Sequence, residues 1–230
     1  MDGKKVCAVI AAAGKSSRMG LDGGTSKQFI EIGVGGETVI GKTMAIFDSC
    51  NYIDEIIVAA RPEDTDKIRK IAKSNNLSKV IDIVAGGETR LESVANAVEL
   101  IGGHIDFIAI HDGARCFVSH EDIEKVTLKA FETGAAAAGT KVTDTIKFAD
   151  DSGNIIKTID RELLWAVQTP QIFSKDLYIS SLKKLKSGAI ITDDCAVVEN
   201  AGYKVSIVEC SKYNIKIIDA QDLIFSKGLI

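Results

Sequence analysis

The apolar run Val6 to Ile10 passes without a break into Ala11-Ala12-Ala13-Gly14-Lys15-Ser16-Ser17-Arg18-Met19-Gly20, and Lys27-Gln28-Phe29 follows a few positions later. The short apolar run reads as a buried strand. It feeds directly into a loop of small residues. Small side chains let backbone N–H groups come close to phosphate oxygens, and concave loops of this kind bind anions. Arg18 and Lys27 add full positive charges. The loop is suited to a polyphosphate. Spacing excludes two familiar versions of such a loop. A Walker A loop needs Gly five positions before Gly14-Lys15-Ser16, where this chain has Val9. A dinucleotide fingerprint needs Gly where Ser16 stands.

The rest of the chain alternates strand-like with helix-like segments, which predicts an α/β fold with a parallel sheet. Strands are expected at Val6–Ala12, Glu55–Ala60, Val80–Val84, Ile105–Ile110 and Lys204–Val208. Helices are expected at Thr38–Ser49, Glu63–Asn75, Glu88–Ile101, His120–Thr133, Lys175–Leu185, Asp193–Asn200 and Ala220–Ser226. The segment Glu88–Ile101 places Leu91, Val94, Ala95, Val98 and Ile101 on one face. After Gly139 the pattern changes. Lys141–Phe148, a polar turn over residues 150–154 and Ile155–Asp160 read as a hairpin rather than a βαβ unit. Ala135–Ala138 reads as a tight strand–helix contact. No linker or repeat divides the chain, so residues 1–230 are expected to form a single domain.

Charge and cysteine usage narrow the function classes. The formal net charge is −4, so no global basic field attracts nucleic acid. The five cysteines form no C-x-x-C pair, and their odd number fits reduced thiols in the cytoplasm. The three histidines show no H-E-x-x-H spacing. Lys4-Lys5 ahead of the run to Ala13 superficially mimics a signal peptide. The run is short, however, and cleavage near Ala13 would destroy the phosphate loop, so a first strand is expected instead. No apolar stretch approaches the ~20 residues that span a bilayer.

Further motifs follow in order: Gly86-Gly87-Glu88-Thr89-Arg90 with Ser93, His111-Asp112-Gly113-Ala114-Arg115, Asp144-Thr145, Asp160-Arg161, Gln168-Thr169-Pro170-Gln171, Thr192-Asp193-Asp194 and Asn214-Ile215-Lys216. With the R-M and K-Q elements of the loop, the ordered set resembles the 2-C-methyl-D-erythritol 4-phosphate cytidylyltransferase family of sugar-phosphate nucleotidyltransferases, over nearly the whole chain. The resemblance implies a Rossmann-like three-layer sandwich with a mostly parallel sheet. It also implies a protruding β-hairpin arm, residues 140–162, that exchanges between two subunits of a homodimer. The implied reaction transfers CMP from CTP to methylerythritol 4-phosphate with Mg²⁺ and releases pyrophosphate, a step of non-mevalonate isoprenoid synthesis. Ribitol-5-phosphate cytidylyltransferase shares the fold and most motifs. A non-catalytic nucleotide-binding protein of the same fold is the alternative from another class.

The chemistry of that reaction matches the residues. The acceptor phosphate is already an anionic nucleophile, so no Ser-His-Asp triad is needed. What is needed is charge neutralisation at the α-phosphate and in-line positioning. The resemblance gives these catalytic roles to Arg18, Lys27 and Lys216. It assigns CTP binding to Ala12, Ala13, Gly14, Gly87, Glu88, Ser93 and Gly113. Asp112, Arg115, Thr145, Arg161, Thr169 and Thr192 fall to the acceptor, and Asp112 also to the metal. Simpler readings accompany several of these: an Asp112–Arg115 ion pair, helix caps at Glu88 and at Thr192-Asp193-Asp194, and cross-strand packing for Thr145 and Arg161. The chain departs from the family pattern at Ala11, Glu88, Cys116 and Asp219-Ala220-Gln221-Asp222, where Pro, Asp, Pro and T-x-x-D are more usual.

Overall fold

The computed structural model describes residues 3–14, 26–32, 35–186, 188 and 190–229. Seven strands form one sheet. They are β1 (Val6–Ala12), β2 (Glu55–Ala60), β3 (Val80–Ala85), β4 (Phe107–Asp112), β5 (Ala135–Lys141), β8 (Trp165–Ser174) and β9 (Ser206–Glu209), in the order β3-β2-β1-β4-β8-β5-β9. Every pairing is parallel except those of β8, which runs against both β4 and β5. The helices are α1 (Val39–Ser49), α2 (Thr65–Ser74), α3 (Arg90–Val98), α4 (His120–Thr133), α5 (Lys175–Lys184), α6 (Asp194–Asn200) and α7 (Ala220–Ser226).

Alternation along the inner strands builds two cores. In β1, Val6, Ala8, Ile10 and Ala12 face one side, where Ile40, Met44 and Phe47 of α1, Ile68 of α2 and Ile123 and Val126 of α4 cover them. Cys7 and Val9 face the other side, against Val94 and Val98 of α3, Tyr178 of α5 and Val197 of α6. A sheet buried on both faces explains why the central strands are continuously apolar. The result is the expected three-layer, Rossmann-like α/β fold.

The topology also fixes where a ligand can sit. From β1 the chain moves outward through β2 and β3, then returns to place β4 on the other side of β1. The strand order reverses between β1 and β4, and a crevice opens at such a switch point, outside the carboxyl ends of the strands.

Two strands of the sheet, β5 and β8, have no counterpart among the expected strands. Ala135–Ala138 is fully buried strand, the start of β5, clamped between β8 and β9. The Gln168-Thr169-Pro170-Gln171 motif lies inside β8. The ladder between β5 and β8 shifts register between Ala137 and Gly139, across from residues 168–170. Pro170 donates no hydrogen bond there and needs none.

The hairpin has shorter strands than expected: β6 (Lys147–Ala149) and β7 (Ile155–Thr158) form a separate two-stranded sheet. Its turn is held by Asp150. One carboxylate oxygen accepts the Ser152 and Asn154 N–H groups at 3.0 and 2.8 Å, and Gly153 takes the left-handed conformation at φ +82°.

Candidate active site

The crevice at the β1/β4 switch point is a cavity of about 360 Å³. Ala11, Ala13 and Gly14 line it from the end of β1, Asp112 and Ala114 from the end of β4, and Gly87 to Arg90 from the loop after β3. Lys27, Gln28, Lys216 and Ile218 close it. A Cβ built on Gly14 would meet no atom of the described residues within 4 Å.

The loop after β3 is held by its own hydrogen bonds. Thr89 is the N-cap of α3. Its hydroxyl accepts the Glu92 N–H at 3.1 Å, and the Glu92 carboxylate accepts the Glu88 and Thr89 N–H groups at 2.8 and 3.1 Å. This is a capping box. It moves the helix start to Arg90 and leaves Glu88 outside the helix at the exposed rim, in place of the cap expected for it. The Ser93 hydroxyl accepts the Gly87 N–H at 3.1 Å and donates to the Thr89 carbonyl at 2.8 Å. Ser93 therefore shapes the loop from beneath. A Cβ on Gly87 would stand 2.4 Å from the Glu92 Cβ, so only glycine permits this turn without displacement.

Asp112 is the hub of the charges. Its carboxylate accepts from Lys216 Nζ at 2.7 Å and from Arg90 Nε at 3.2 Å, with Arg115 Nε at 3.5 Å. Burial alone would raise its pKa. The three cations outweigh that and hold the carboxyl well below the usual carboxylate range. Arg90 reaches on to Asp194, the first residue of α6, which is fully buried. Burial works against the Arg90 charge, but the two carboxylates prevail and raise its pKa. The Tyr178 hydroxyl donates to the other Asp194 oxygen at 2.6 Å.

Behind Asp112 lies a neutral network. His111 Nε2 sits 3.1 Å from the Arg115 carbonyl, which can only accept, so Nε2 carries the proton. Nδ1 then accepts from the Thr169 hydroxyl at 3.1 Å, and that hydroxyl in turn accepts the Asp112 N–H at 3.0 Å. Burial pushes the His111 pKa down to about 4, in keeping with a neutral imidazole.

Lys27 stands in the short 3-10 turn Lys27–Phe29, and its ammonium donates to the Ile217 carbonyl at 2.7 Å. The alternation Ile215-Lys216-Ile217 is strand-like, but residues 215–217 form no strand. Asn214 pins that segment instead. Its side-chain amide donates to Thr169 O at 2.8 Å, and its carbonyl accepts from Arg115 Nη1 at 2.8 Å. Asp219 and Asp222 then cap one another at the start of α7, and the Asp222 carboxylate accepts the Ile218 N–H at 2.7 Å. The departure from T-x-x-D thus keeps a cap at this position.

Of the residues named from sequence, Ala13, Gly14, Lys27, Gly87, Glu88, Ser93, Asp112 and Lys216 meet at the cavity. Arg18 lies outside the described residues. Ala12 faces the core, and Gly113 packs against Ile40 and Gln28 behind the wall. Arg115 and Thr169 sit behind Asp112, with the Asp112–Arg115 contact expected from the motif. Thr192 is exposed, and the cap of α6 is Asp193, whose carboxylate accepts the Ala196 N–H. Thr145 and Arg161 lie exposed at the arm, where Arg161 Nη1 donates to Thr143 O at 2.7 Å. Neither lines the cavity of its own chain. Arg90 was quoted in a motif but given no role, although it lines the cavity. Cys116 is fully buried and its thiol is pushed up to about 12, which removes it as a nucleophile.

Among the described residues no trio of His, Cys, Asp and Glu side chains is placed to hold a metal. Asp112 is engaged with cations at both oxygens. Magnesium commonly keeps its waters and binds through one or two carboxylates plus substrate phosphates. The residues present therefore fit an ion carried in on a polyphosphate, with Asp112 as at most one ligand.

A switch-point cavity of a mostly parallel sheet, lined by Lys27, Arg90 and Lys216 and, among the described residues, without an activated nucleophile, defines a phosphate-binding transferase site of the nucleotidyltransferase kind. The family model for 2-C-methyl-D-erythritol 4-phosphate cytidylyltransferase matches residues 6–230. A protein of that description from Clostridium tetani is 41% identical over 227 residues, covering 98% of this chain and 90% of its own length. One from Caldanaerobacter subterraneus is 39% identical over 224 residues, covering 96% and 97%. The crystal structure of 4-diphosphocytidyl-2C-methyl-D-erythritol synthase from Anaerococcus prevotii superposes with a TM-score of 0.85 at 31% identity, covering 99% of this chain and 96% of that one. The chain belongs to the 2-C-methyl-D-erythritol 4-phosphate cytidylyltransferase family.

Proposed function

We propose that this chain transfers CMP from CTP to 2-C-methyl-D-erythritol 4-phosphate and releases pyrophosphate, supplying an intermediate of non-mevalonate isoprenoid synthesis. The observation that carries the chemistry is the convergence of Lys27, Lys216 and Asp112 on one cavity at the β1/β4 switch point. An oxygen of the acceptor phosphate attacks the α-phosphorus of CTP. The new P–O bond forms as the bond to the bridging oxygen breaks, and pyrophosphate leaves with that electron pair. Lys27, together with Arg18, neutralises charge gathering on the α-phosphate. Lys216, aimed by Asp112, orients the acceptor phosphate for in-line approach. The cytosine end lies against Gly87, Glu88 and the loop fixed by Ser93. Asp112 would be at most one protein ligand to a magnesium ion brought in with the triphosphate, which when bound would supply neutralisation of phosphate charge.

The arm supports a homodimer. Phe148, Ile155 and Ile156 of the hairpin, and Leu163 in the 3-10 turn Arg161–Leu163 just after it, are 54, 64, 59 and 80% exposed. A two-stranded hairpin with that much apolar surface gains stability by packing on another surface. A second copy is the partner we propose, with its Thr145 and Arg161 reaching the acceptor across the interface. Five free, buried thiols fit a cytoplasmic enzyme, and no described helix is long and apolar enough to cross a membrane.

The reading is tested by phosphorus NMR of CTP, Mg²⁺ and methylerythritol 4-phosphate with the purified protein. Matched growth of a diphosphodiester and of pyrophosphate is expected. CTP and acceptor left unchanged, with the protein folded, would reject it.

A further inference from the structure

Asp194 is fully buried at the start of α6, beyond the cavity wall, and is tied to the site through its side-chain contacts. The Gln171 amide oxygen accepts the N–H groups of Asp194 and Cys195 at 3.0 and 3.1 Å and fixes the backbone. Tyr178 holds one carboxylate oxygen and Arg90 the other. Arg90 spends Nη1 on Asp194 and Nε on Asp112 Oδ1, and Asp112 Oδ2 takes Lys216. The order Tyr178–Asp194–Arg90–Asp112–Lys216 is thus a continuous run of hydrogen-bonded and charged contacts from the interior to the cavity. Without Asp194, the Arg90 guanidinium keeps a single anchor in this run, its Nε bond to Asp112 Oδ1, so its plane and the Oδ1 end of the Asp112 carboxylate are less firmly set, while Arg115 and Lys216 still face Oδ2. A buried charged pair costs desolvation that apolar packing would avoid, so its stability alone gives no reason for it.

We propose that Asp194 is a positioning residue for phosphoryl transfer: it orients Arg90, and through Arg90 and Asp112 it aims Lys216 at the acceptor phosphate. The inference rests on the cytidylyltransferase reading of the cavity. Wild-type turnover tests that reading, whereas the inference is tested only by variants measured relative to wild type.

The experiment is a double-mutant cycle on Asp194→Asn and Arg90→Gln, reading kcat, KM for the acceptor and the dissociation constant of CTP. Misplacement of a catalytic group by about 1 Å from a distant change can cost roughly a hundredfold. Asp194→Asn is expected to lower kcat by roughly ten- to a hundredfold while CTP affinity stays near wild type. If Asp194 acts through Arg90, the double variant is no slower than the slower single variant, because the two losses share one path. A merely structural Asp194 would instead lower stability and weaken CTP binding without a selective loss of kcat. Multiplying losses, or an Asp194→Asn kcat equal to wild type, would overturn the proposal. Should Asp194→Asn fail to fold, Tyr178→Phe replaces it in the cycle. It removes the donor to the same carboxylate and keeps the ring, and the same two outcomes decide.

Discussion

His111 shows how a residue that never touches the cavity can govern it. It is wholly buried and neutral, and it links Thr169 to the Arg115 carbonyl. An imidazole in the unfolded chain titrates near 6.5, whereas burial brings His111 down to about 4. Between those values the unfolded chain binds a proton that the folded chain refuses. Stability from this residue is therefore complete above pH 6.5 and is lost as pH falls toward 4, by about 3 kcal/mol in all. Urea unfolding at pH 7 and pH 5 should show wild type losing about 2 kcal/mol more than His111→Asn. Equal losses would show that His111 titrates normally. Lys27 acts on the chemistry itself. Its removal resembles loss of an oxyanion-hole donor, so Lys27→Ala should lower kcat about 10²–10³-fold, read by pyrophosphate release at saturating substrates.

At the scale of elements, the loop from β3 to α3 sets the nucleotide end of the cavity. Gly87→Ala would force a Cβ to within 2.4 Å of the Glu92 Cβ, so either the loop or the capping box must move. The expected result is a KM for CTP raised about tenfold, on the scale of a lost hydrogen bond to the ligand, with kcat less affected. Steady-state kinetics over a range of CTP concentrations would check the split. The elements themselves were unevenly legible. The central strands are apolar on both faces, and the helices carry clean stripes, so both could be read from periodicity. Strand β5 begins Ala-Ala-Ala-Ala-Gly, without alternation or β-branched residues, and packs on both faces: Ala136 and Ala138 lie in one core with Ile123 and Val126 of α4, Ala135 and Ala137 in the other with Tyr178 and Val197. Strand β8 contains a proline, which local rules set against a strand, and only the register shift accommodates it. Arg90 escaped assignment because its partner Asp194 is 104 positions away, and no local spacing signals that pair. Lys27 was legible from the phosphate loop itself, Asp112 and Lys216 only through the ordered motifs. The sheet topology is what brings them together.

For the whole molecule, one reversal of strand order explains the site's location, and one exposed hairpin is the basis of the proposed dimer. If the arm packs on a second copy, the paired substitution Ile156→Asp and Leu163→Asp should leave monomers in sedimentation velocity. A dimer of undiminished affinity would place the interface elsewhere. The account's central claim concerns the acceptor, and the most direct measurement compares pyrophosphate release with methylerythritol 4-phosphate and with ribitol 5-phosphate. CTP and Mg²⁺ would be present throughout, with kcat/KM determined for each acceptor. The account predicts turnover with the first and at least a hundredfold lower kcat/KM with the second, the scale at which a site built for one substrate rejects a mispaired analogue. Preference for ribitol 5-phosphate, or equal use of both, would contradict it.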